Sequence, residues 1–269
     1  MTTAPNGSPA SRVAIVTGGS RGVGQATARR LAARGYAVVV NYLHDQRAAE
    51  TAVEAILADN GNAVAVRADV ADDLDVTRLF AETITAFGGV DAVVHAVGSH
   101  PAATQVTEIR LDEFDALVRI NTRATFVVNR EAARHVRNGG AIVNLSSSAE
   151  DSSLRTHGLY AATKAATGVL TRAFALELGE RDITVNTVSP AVCRPCIPDR
   201  VTDVIAYLLS DHGHRLTGQI LSVGDAELRP WVSAPQQIIS GADPSRAPNG
   251  SSARPQVNRL YAGRRFCSS

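Results

Sequence analysis

The sequence lacks long apolar runs, an excess charge of one sign and a cysteine framework. No apolar run reaches the roughly 18 residues that a membrane helix needs, so no membrane partner is expected. The formal net charge is +1, which gives no overall field for binding nucleic acid. The N-terminus up to Ser11 is polar, contains two prolines and lacks the charged and apolar regions of a signal peptide. We therefore expect a cytoplasmic protein.

The cysteines are few and give no clear metal or disulfide pattern. Three cysteines in 269 residues suit a reducing compartment better than a disulfide framework. Cys193 and Cys196 have the spacing of a redox or metal half-motif, but no second pair or histidine cluster accompanies them. Two incidental thiols are the simpler interpretation, and no metal site is predicted.

Short apolar runs alternate with amphipathic segments along most of the chain. Seven runs read as strands, at residues 13–17, 37–42, 63–67, 91–95, 141–146, 183–188 and 219–223. The helices between them begin with Gln25–Arg34 and include two long ones, from Leu111 to about Arg137 and from Leu159 to Leu178. This alternation predicts an α/β fold: a single Rossmann-type domain with a doubly wound, seven-stranded parallel sheet and helices on both faces.

The composition changes after the last predicted strand. From Glu227 onward the chain is rich in Pro, Ser, Gly, Asn and Arg and has few periodic apolar positions. We predict a flexible N-terminal segment at 1–11, a catalytic domain at 12–225 and an irregular tail at 226–269. The tail is either disordered or folds back to cover the site, using sparse apolar anchors such as Trp231.

A glycine-rich loop lies between the first predicted strand and the first predicted helix. It reads Thr-Gly-Gly-Ser-Arg-Gly-Val-Gly over Thr17–Gly24. Gly18, Gly22 and Gly24 allow a tight turn and a close backbone approach to a pyrophosphate. The helix that follows presents free N–H groups and a positive dipole to an anion. At this strand-to-helix junction, the loop predicts a dinucleotide cofactor rather than a simple structural turn.

The end of the second strand favours NADP(H) over NAD(H). A carboxylate there would hold the adenine ribose diol, yet the strand ends with Asn41 and Tyr42 and no acid follows until Asp45. Arg21, inside the glycine loop, is placed to pair with a 2′-phosphate instead. Asp69 and Val70, after the third strand, either frame the adenine or cap the next helix.

Tyr160 and Lys164 form the candidate chemical pair. Four residues apart on a helix is about one turn, so the phenol and the ammonium project from the same face. A phenol has a pKa near ~10, and a lysine charge beside it lowers that value. Proton transfer to or from a substrate oxygen then becomes feasible near neutral pH.

With these motifs in this order, the chain resembles the short-chain dehydrogenase/reductase family from about Val13 to Val223. The glycine loop, the Tyr160 and Lys164 pair, and Asn121 match family motifs, and Ser147 lies 13 residues before Tyr160. The resemblance implies that Tyr160 donates a proton to a carbonyl oxygen and that Ser147 hydrogen-bonds it. Lys164 lowers the Tyr160 pKa and holds the nicotinamide ribose, and Asn121 holds a relay water.

The catalytic residues predicted in this way are Asn121, Ser147, Tyr160 and Lys164. The predicted cofactor contacts are Gly18, Ser20, Arg21, Gly22, Val23, Gly24, Asn41, Tyr42, Asp69, Val70, Ala96, Gly98, Tyr160, Lys164, Pro190 and Val192.

Three features depart from the family pattern. His95-Ala-Val-Gly98 replaces Asn-Asn-Ala-Gly, and His95 is either a packed structural residue or a polar group near the ribose. Pro190-Ala replaces Pro-Gly, and Pro195 stands where the family often has a threonine. Only seven residues, 191–197, separate Pro190 from Pro198, which is too short for the family's substrate lid.

The resemblance therefore implies an NADPH-dependent reductase of a ketone. A site without the usual lid suits a bulky or carrier-bound substrate, 3-oxoacyl or polyketide-like. Two alternatives stay open: a cyclase, dehydratase or epimerase that uses Tyr160 without net redox, and a cofactor-binding protein without catalysis. The resemblance also implies a homodimer or homotetramer formed through the helices that follow Leu111 and Leu159.

Overall fold

A seven-stranded parallel sheet is the centre of the computed structural model, which describes residues 11–147, 156–190 and 198–224. The strand order is β3-β2-β1-β4-β5-β6-β7, and every neighbouring pair is parallel. The strands are β1 (Val13–Thr17), β2 (Ala37–Tyr42), β3 (Asn62–Arg67), β4 (Val90–His95), β5 (Val136–Leu145), β6 (Thr184–Pro190) and β7 (Ile220–Val223). The predicted α/β class and sheet are confirmed.

Helices cover both faces of the sheet, as a parallel sheet requires. They are α1 (Gly22–Ala32), α2 (Gln46–Ala58), α3 (Asp73–Phe87), α4 (Leu111–Val118), α5 (Ala124–His135), α6 (Gly158–Leu178) and α7 (Pro198–Leu208). Val16 and Val94 belong to a core cluster shared with α1, α2 and α7. Ile15 and Val93 belong to the opposite cluster, shared with α3, α5 and α6. Alternate residues of each strand thus fill two separate cores.

Polar residues replace apolar ones in the last layer of the second core. Asn41, Thr17, His95, Asn144 and Thr187 occupy successive strands in register, at the same level near the carboxyl ends. Each is no more than 1% exposed. We call these five residues the polar row. Below this level the strands contribute apolar side chains to the second core, and at this level they contribute polar ones.

The long helix predicted from Leu111 to about Arg137 is present from Leu111 to His135, but its hydrogen-bonding pattern changes midway. It is divided into α4 and α5 by a π-helical turn at Arg119–Arg123. A π turn admits one extra residue per turn and is frequent at functional sites. It contains Asn121, which is 1% exposed, so the irregularity coincides with a predicted site residue.

Among the other predicted boundaries, the largest differences from the structure are at the starts of α1 and β5. Helix α1 begins at Gly22 instead of Gln25, because the glycines of the loop already form its first turn. Strand β5 begins at Val136 instead of Ala141, and its register with β4 shifts between Val90 and Ala92. The predicted tail and nearly all of the N-terminal segment lie outside the described residues. No helix in the described ranges is long and apolar enough to cross a membrane.

Candidate active site

The predicted site residues converge at the carboxyl ends of β1 and β4. The chain leaves β1 towards one side of the sheet and β4 towards the other, which opens a crevice at this switch point. The glycine loop follows β1, and the segment from Ala96 to Gly98 follows β4. A Cβ on Gly18 would lie 3.1 Å from Cγ2 of Val97, so the two connections approach each other closely.

The glycine loop has the backbone geometry of an anion site. Gly18 and Gly22 have φ values of +63° and +56°, which side chains disfavour. A Cβ on Gly24 would lie 2.2 Å from the carbonyl oxygen of Gly18, so this position admits only glycine. Arg21 is the N-cap residue of α1 but makes no side-chain cap, and the first turn contains no acidic residue. The first N–H groups of α1 are therefore available to a phosphate.

Asn41 braces this loop from the end of β2. Its Oδ1 accepts a hydrogen bond from Gly18 N–H at 3.4 Å, and its carbonyl accepts one from Gly19 N–H at 3.0 Å. Its Nδ2 donates to the carbonyl of Ala68 at 3.0 Å. Since the side chain is 1% exposed, Asn41 holds the loop in place from inside the protein.

The other predicted cofactor residues surround the crevice in different ways. Ser20 is buried in the loop, while Val23 and Tyr42 are partly buried beside the core formed with α1 and α2. Val70 is packed in the opposite core, so only its backbone can reach a ligand. Pro190 ends β6. Val192 lies outside the described residues.

The carboxylate of Asp69 is hydrogen-bonded to neighbouring residues. It accepts hydrogen bonds from Arg119 at 2.8 Å and from Ala71 N–H at 2.9 Å. Burial raises the pKa of Asp69, but the hydrogen bonds from Arg119 and Ala71 outweigh it and hold the pKa below its usual value. Asp69 is thus an ionised group that connects the end of β3 to the π turn.

Tyr160 and Lys164 lie together, as the helical spacing predicts. Tyr160 is 7% exposed, Lys164 is 6% exposed, and Nζ lies 6.0 Å from the centroid of the phenol ring. Nζ donates to the carbonyl of Leu145 at 3.3 Å. A Cβ on Gly98 would lie 2.6 Å from Nζ, so the glycine after β4 makes room for the ammonium. The ammonium therefore sits between the ends of β4 and β5.

The two serines at the end of β5 differ in their surroundings. The hydroxyl of Ser146 donates to the carbonyl of Lys164 at 3.1 Å, inside the packing between β5 and α6. Ser147 is 8% exposed and is the next residue along the chain. Because alternate residues of an extended chain point in opposite directions, Ser147 remains the serine predicted to face the crevice.

Asn121 connects three parts of the site. Its Oδ1 accepts a hydrogen bond from Ser99 N–H at 2.8 Å, and its Nδ2 donates to Thr163 Oγ1 at 3.0 Å and to Ser99 O at 3.1 Å. Its carbonyl accepts from the Thr125 hydroxyl at 2.6 Å. Asn121 thus fastens the connection after β4 to α6, one residue before Lys164.

His95 is a buried, neutral part of the polar row. Its Nδ1 hydrogen-bonds with Thr17 Oγ1 at 2.9 Å, and Thr17 Oγ1 also accepts from Ala96 N–H at 3.1 Å. Its Nε2 has no hydrogen-bond partner among the residues described. Burial, with a smaller contribution from the charge of Lys164, lowers the pKa of His95 to about 3. Of the two interpretations offered by the sequence, a packed structural residue and a polar group near the ribose, this environment favours the packed structural residue.

Three residues near the crevice escaped the sequence analysis. Arg67 ends β3, and its Nε donates to the carbonyl of Leu43, just beyond β2, at 3.0 Å. Thr163 bonds Asn121 as described above. The ring of His100 lies 4.5 Å from that of Tyr160, centroid to centroid. Only Arg67 had a sequence signal, as a cation at the end of a predicted strand.

A cavity away from the crevice is lined by none of the predicted site residues. Its volume is about 440 Å³, and its walls at the opposite, amino-terminal edge of the sheet include Arg12, Asp91, Asp182 and Asp211. These charges are paired, for example Arg12 with Asp211 at 2.8 Å. Within the described ranges, no group of three His, Cys, Asp or Glu side chains is arranged to hold a metal ion.

Comparison with known proteins relates most of the chain to reductases. The sequence model of a family described as Enoyl-(Acyl carrier protein) reductase matches residues 18–197. Versicolorin reductase 1 of Aspergillus parasiticus is 35% identical over 254 residues, covering 81% of this chain and 97% of that protein. A hydroxynaphthalene reductase-like protein of Metarhizium majus is 41% identical over 182 residues, covering 67% of this chain and 68% of that protein.

Solved structures have the same fold. A short chain dehydrogenase from Burkholderia cenocepacia, in complex with NADP, superposes with a TM-score of 0.75 and 33% sequence identity. The match covers 79% of this chain and 96% of that one.

The low pKa of His95 predicts how stability depends on pH. The value falls from 6.5 to about 3 on folding, so the unfolded chain binds more protons between these limits. The stabilisation is complete above pH 6.5 and is lost as the pH decreases towards 3, by roughly 1 kcal/mol per pH unit. His95→Asn removes this titration, so its free energy of unfolding, measured with urea, should depend less on pH than that of wild type. Parallel pH dependences would contradict the prediction.

Proposed function

Since the chain belongs to the short-chain dehydrogenase/reductase family of oxidoreductases, we propose that it reduces a ketone to an alcohol with NADPH and that Tyr160 donates the proton. One observation carries this proposal. The phenol of Tyr160 and the buried ammonium of Lys164 lie together at the end of β4, next to Gly98 and across the crevice from the glycine loop. A proton donor and a cofactor cradle thus share one crevice.

The proposed steps use this chain's own side chains. Ser147 and Tyr160 hydrogen-bond the carbonyl oxygen and stabilise the negative charge that develops on it. Tyr160 then gives its proton to that oxygen, and the charge of Lys164 stabilises the resulting phenolate. Asn121 acts as a positioning residue, because its amide fastens the segment after β4 to α6. Its predicted relay water remains part of the proposal.

The residues around the glycine loop fit a phosphorylated dinucleotide. The uncapped first turn of α1 would hold the pyrophosphate, and Arg21 would pair with a 2′-phosphate. We propose Arg67 as a second partner of the 2′-phosphate, because the hydrogen bond from its Nε to the carbonyl of Leu43 holds the side chain against the end of β2. Lys164 would also bind the nicotinamide ribose. When bound, the cofactor supplies the hydride.

The substrate is proposed to be a bulky or carrier-bound ketone of the 3-oxoacyl or polyketide type. The names of two relatives, versicolorin reductase and hydroxynaphthalene reductase-like protein, support the polyketide type. The number of residues after β6 also supports this proposal, since β6 ends at Pro190 and α7 begins only eight positions later, at Pro198. That connection is near the length of a plain loop. A cytoplasmic location is proposed on the composition alone.

We also propose a homodimer or a homotetramer built on α4, α5 and α6. Leu111 and Leu176 are 81% and 84% exposed, Val169 is 63% exposed, and Phe114 and Phe126 are each 43% exposed. Large apolar side chains concentrated on neighbouring helices mark a protein interface more often than an ordinary surface. Val169 and Leu176 are seven residues apart on α6, so they face the same side.

Removing the phenol hydroxyl tests the chemistry. Tyr160→Phe should lower kcat by about 10²–10⁴-fold, which is the usual contribution of a positioned acid. NADPH binding, measured by fluorescence, should be unchanged because the ring remains. Tyr207→Phe is the matched control, since Tyr207 is 47% exposed on α7. The rate of NADPH oxidation with a panel of ketones reports the result. A Tyr160→Phe enzyme with nearly wild-type kcat would contradict the proposed role.

Cofactor selectivity tests the two arginines. Arg21→Ala and Arg67→Ala should each weaken NADPH binding by roughly 10-fold, the loss expected for one charge-assisted hydrogen bond. Binding of NADH, which has no 2′-phosphate, should be nearly unchanged in both variants. Arg29→Ala, which breaks an exposed pair with Asp59, serves as the control and should alter neither constant. If both cofactors lose affinity equally, these arginines do not select the phosphate.

A charge on α6 tests the proposed interface. Leu176→Glu should shift the protein to a monomer in size-exclusion chromatography with light scattering, because a buried carboxylate opposes association. Leu57→Glu places the same charge on α2, where Leu57 is 49% exposed, and should leave the oligomer intact. Persistence of the wild-type mass in Leu176→Glu would exclude this surface.

A further inference from the structure

We propose that His100 is a specificity-determining residue that exchanges its ring contact with Tyr160 for a stacking contact with a planar aromatic ketone. This inference rests on the proposed function and narrows its substrate. The ring of His100 lies 4.5 Å from that of Tyr160 at an interplanar angle of 57°. It also lies 4.9 Å from the ring of His157 at 48°. Both distances fall in the range of attractive aromatic contacts.

Ring contacts are what hold His100 in place. The residue is exposed, and no hydrogen bond to it forms within the part of the chain that the structure describes. It belongs to the connection between β4 and α4, which is tied to the segment before α6 by a hydrogen bond from Thr104 N–H to Thr156 O at 3.0 Å. The backbone nearby is thus anchored while the imidazole is not. A flat ligand can displace the imidazole without breaking a hydrogen bond.

A cavity beside Tyr160 accepts part of such a ligand. Its volume is about 130 Å³, and Pro101, Leu117 and Leu159 contribute apolar walls. An apolar cavity of roughly 150 Å³ is enough to bind benzene, so this one has room for about one six-membered ring. The acidic side chain at its edge, Glu113, accepts a hydrogen bond from Arg110 N–H at 3.2 Å as a helix cap.

The polyketide-type and 3-oxoacyl substrates left open above would make different contacts with this cavity and with His100. A fused bicyclic ketone places one ring in the cavity and offers the flat face of its second ring to His100. A linear 3-oxoacyl chain fills the cavity but presents no face for stacking. Selection by His100 therefore favours the planar aromatic ketone over the aliphatic one.

Steady-state kinetics with two probe ketones tests the inference. The probes are 2-tetralone, which is bicyclic, and ethyl 3-oxobutanoate, which is linear. In His100→Ala, the KM for 2-tetralone should rise about 3–10-fold, while that for the linear ester stays within about twofold. His100→Phe, which keeps a flat ring, should restore the lower KM. His212→Ala replaces an exposed histidine outside the crevice and should behave as wild type. Equal changes for both ketones, or no change, would overturn the inference.

A binding measurement separates this inference from the proposed function. Calorimetry with 2-naphthol, which is planar, and NADP⁺-loaded protein requires no turnover. His100→Ala should raise the Kd of 2-naphthol by a similar factor, and His100→Phe should not. If wild type reduces neither ketone, the proposed function fails, yet the naphthol result still decides the role of His100. Absent naphthol binding by wild type, or an unchanged Kd in His100→Ala, rejects that role.

Discussion

The buried ammonium of Lys164 is the constraint around which the site is arranged. A charge that leaves water must be met by polar groups, since an isolated buried ion is strongly destabilising. The carbonyl of Leu145 meets part of this need, and Gly98 leaves the space. The same charge contributes to keeping His95 neutral. The position of one cation thus restricts which residue types the ends of β4 and β5 can carry.

The polar row extends this arrangement across the sheet. Asn144 exchanges two hydrogen bonds with Asn129, at 2.8 and 3.0 Å, and donates a third to Thr171. Thr171 in turn bonds Thr187 at 2.7 Å. These bonds join β5, α5, α6 and β6 near the carboxyl ends of the strands, where the candidate site lies. Because buried polar groups tolerate few alternative arrangements, such a network holds α6, and with it Tyr160 and Lys164, in one register.

Much of the fold and most of the site geometry followed from local sequence. Strand alternation predicted the sheet, and the helical spacing of Tyr160 and Lys164 predicted their proximity, because both depend on backbone periodicity. The π turn at Arg119–Arg123 did not follow, since it depends on Asn121 bonding to Ser99 and Thr163, which are distant in sequence. The start of α1 at Gly22 was missed because glycine disfavours helices, while tight packing of the loop outweighs that preference.

The short connection after β6 bears on the proposed recognition of the substrate. Only seven residues lie between Pro190 and Pro198, and this length predicts that the covering helices of a family lid are missing. Among the described residues, the β4–α4 connection and the start of α6 contribute walls around Tyr160, and they carry His100 and His157. These two elements are fastened to each other through Asn121 and Thr163. The proposed role of His100 therefore places substrate recognition on the same anchored frame that holds Tyr160, the proposed proton donor.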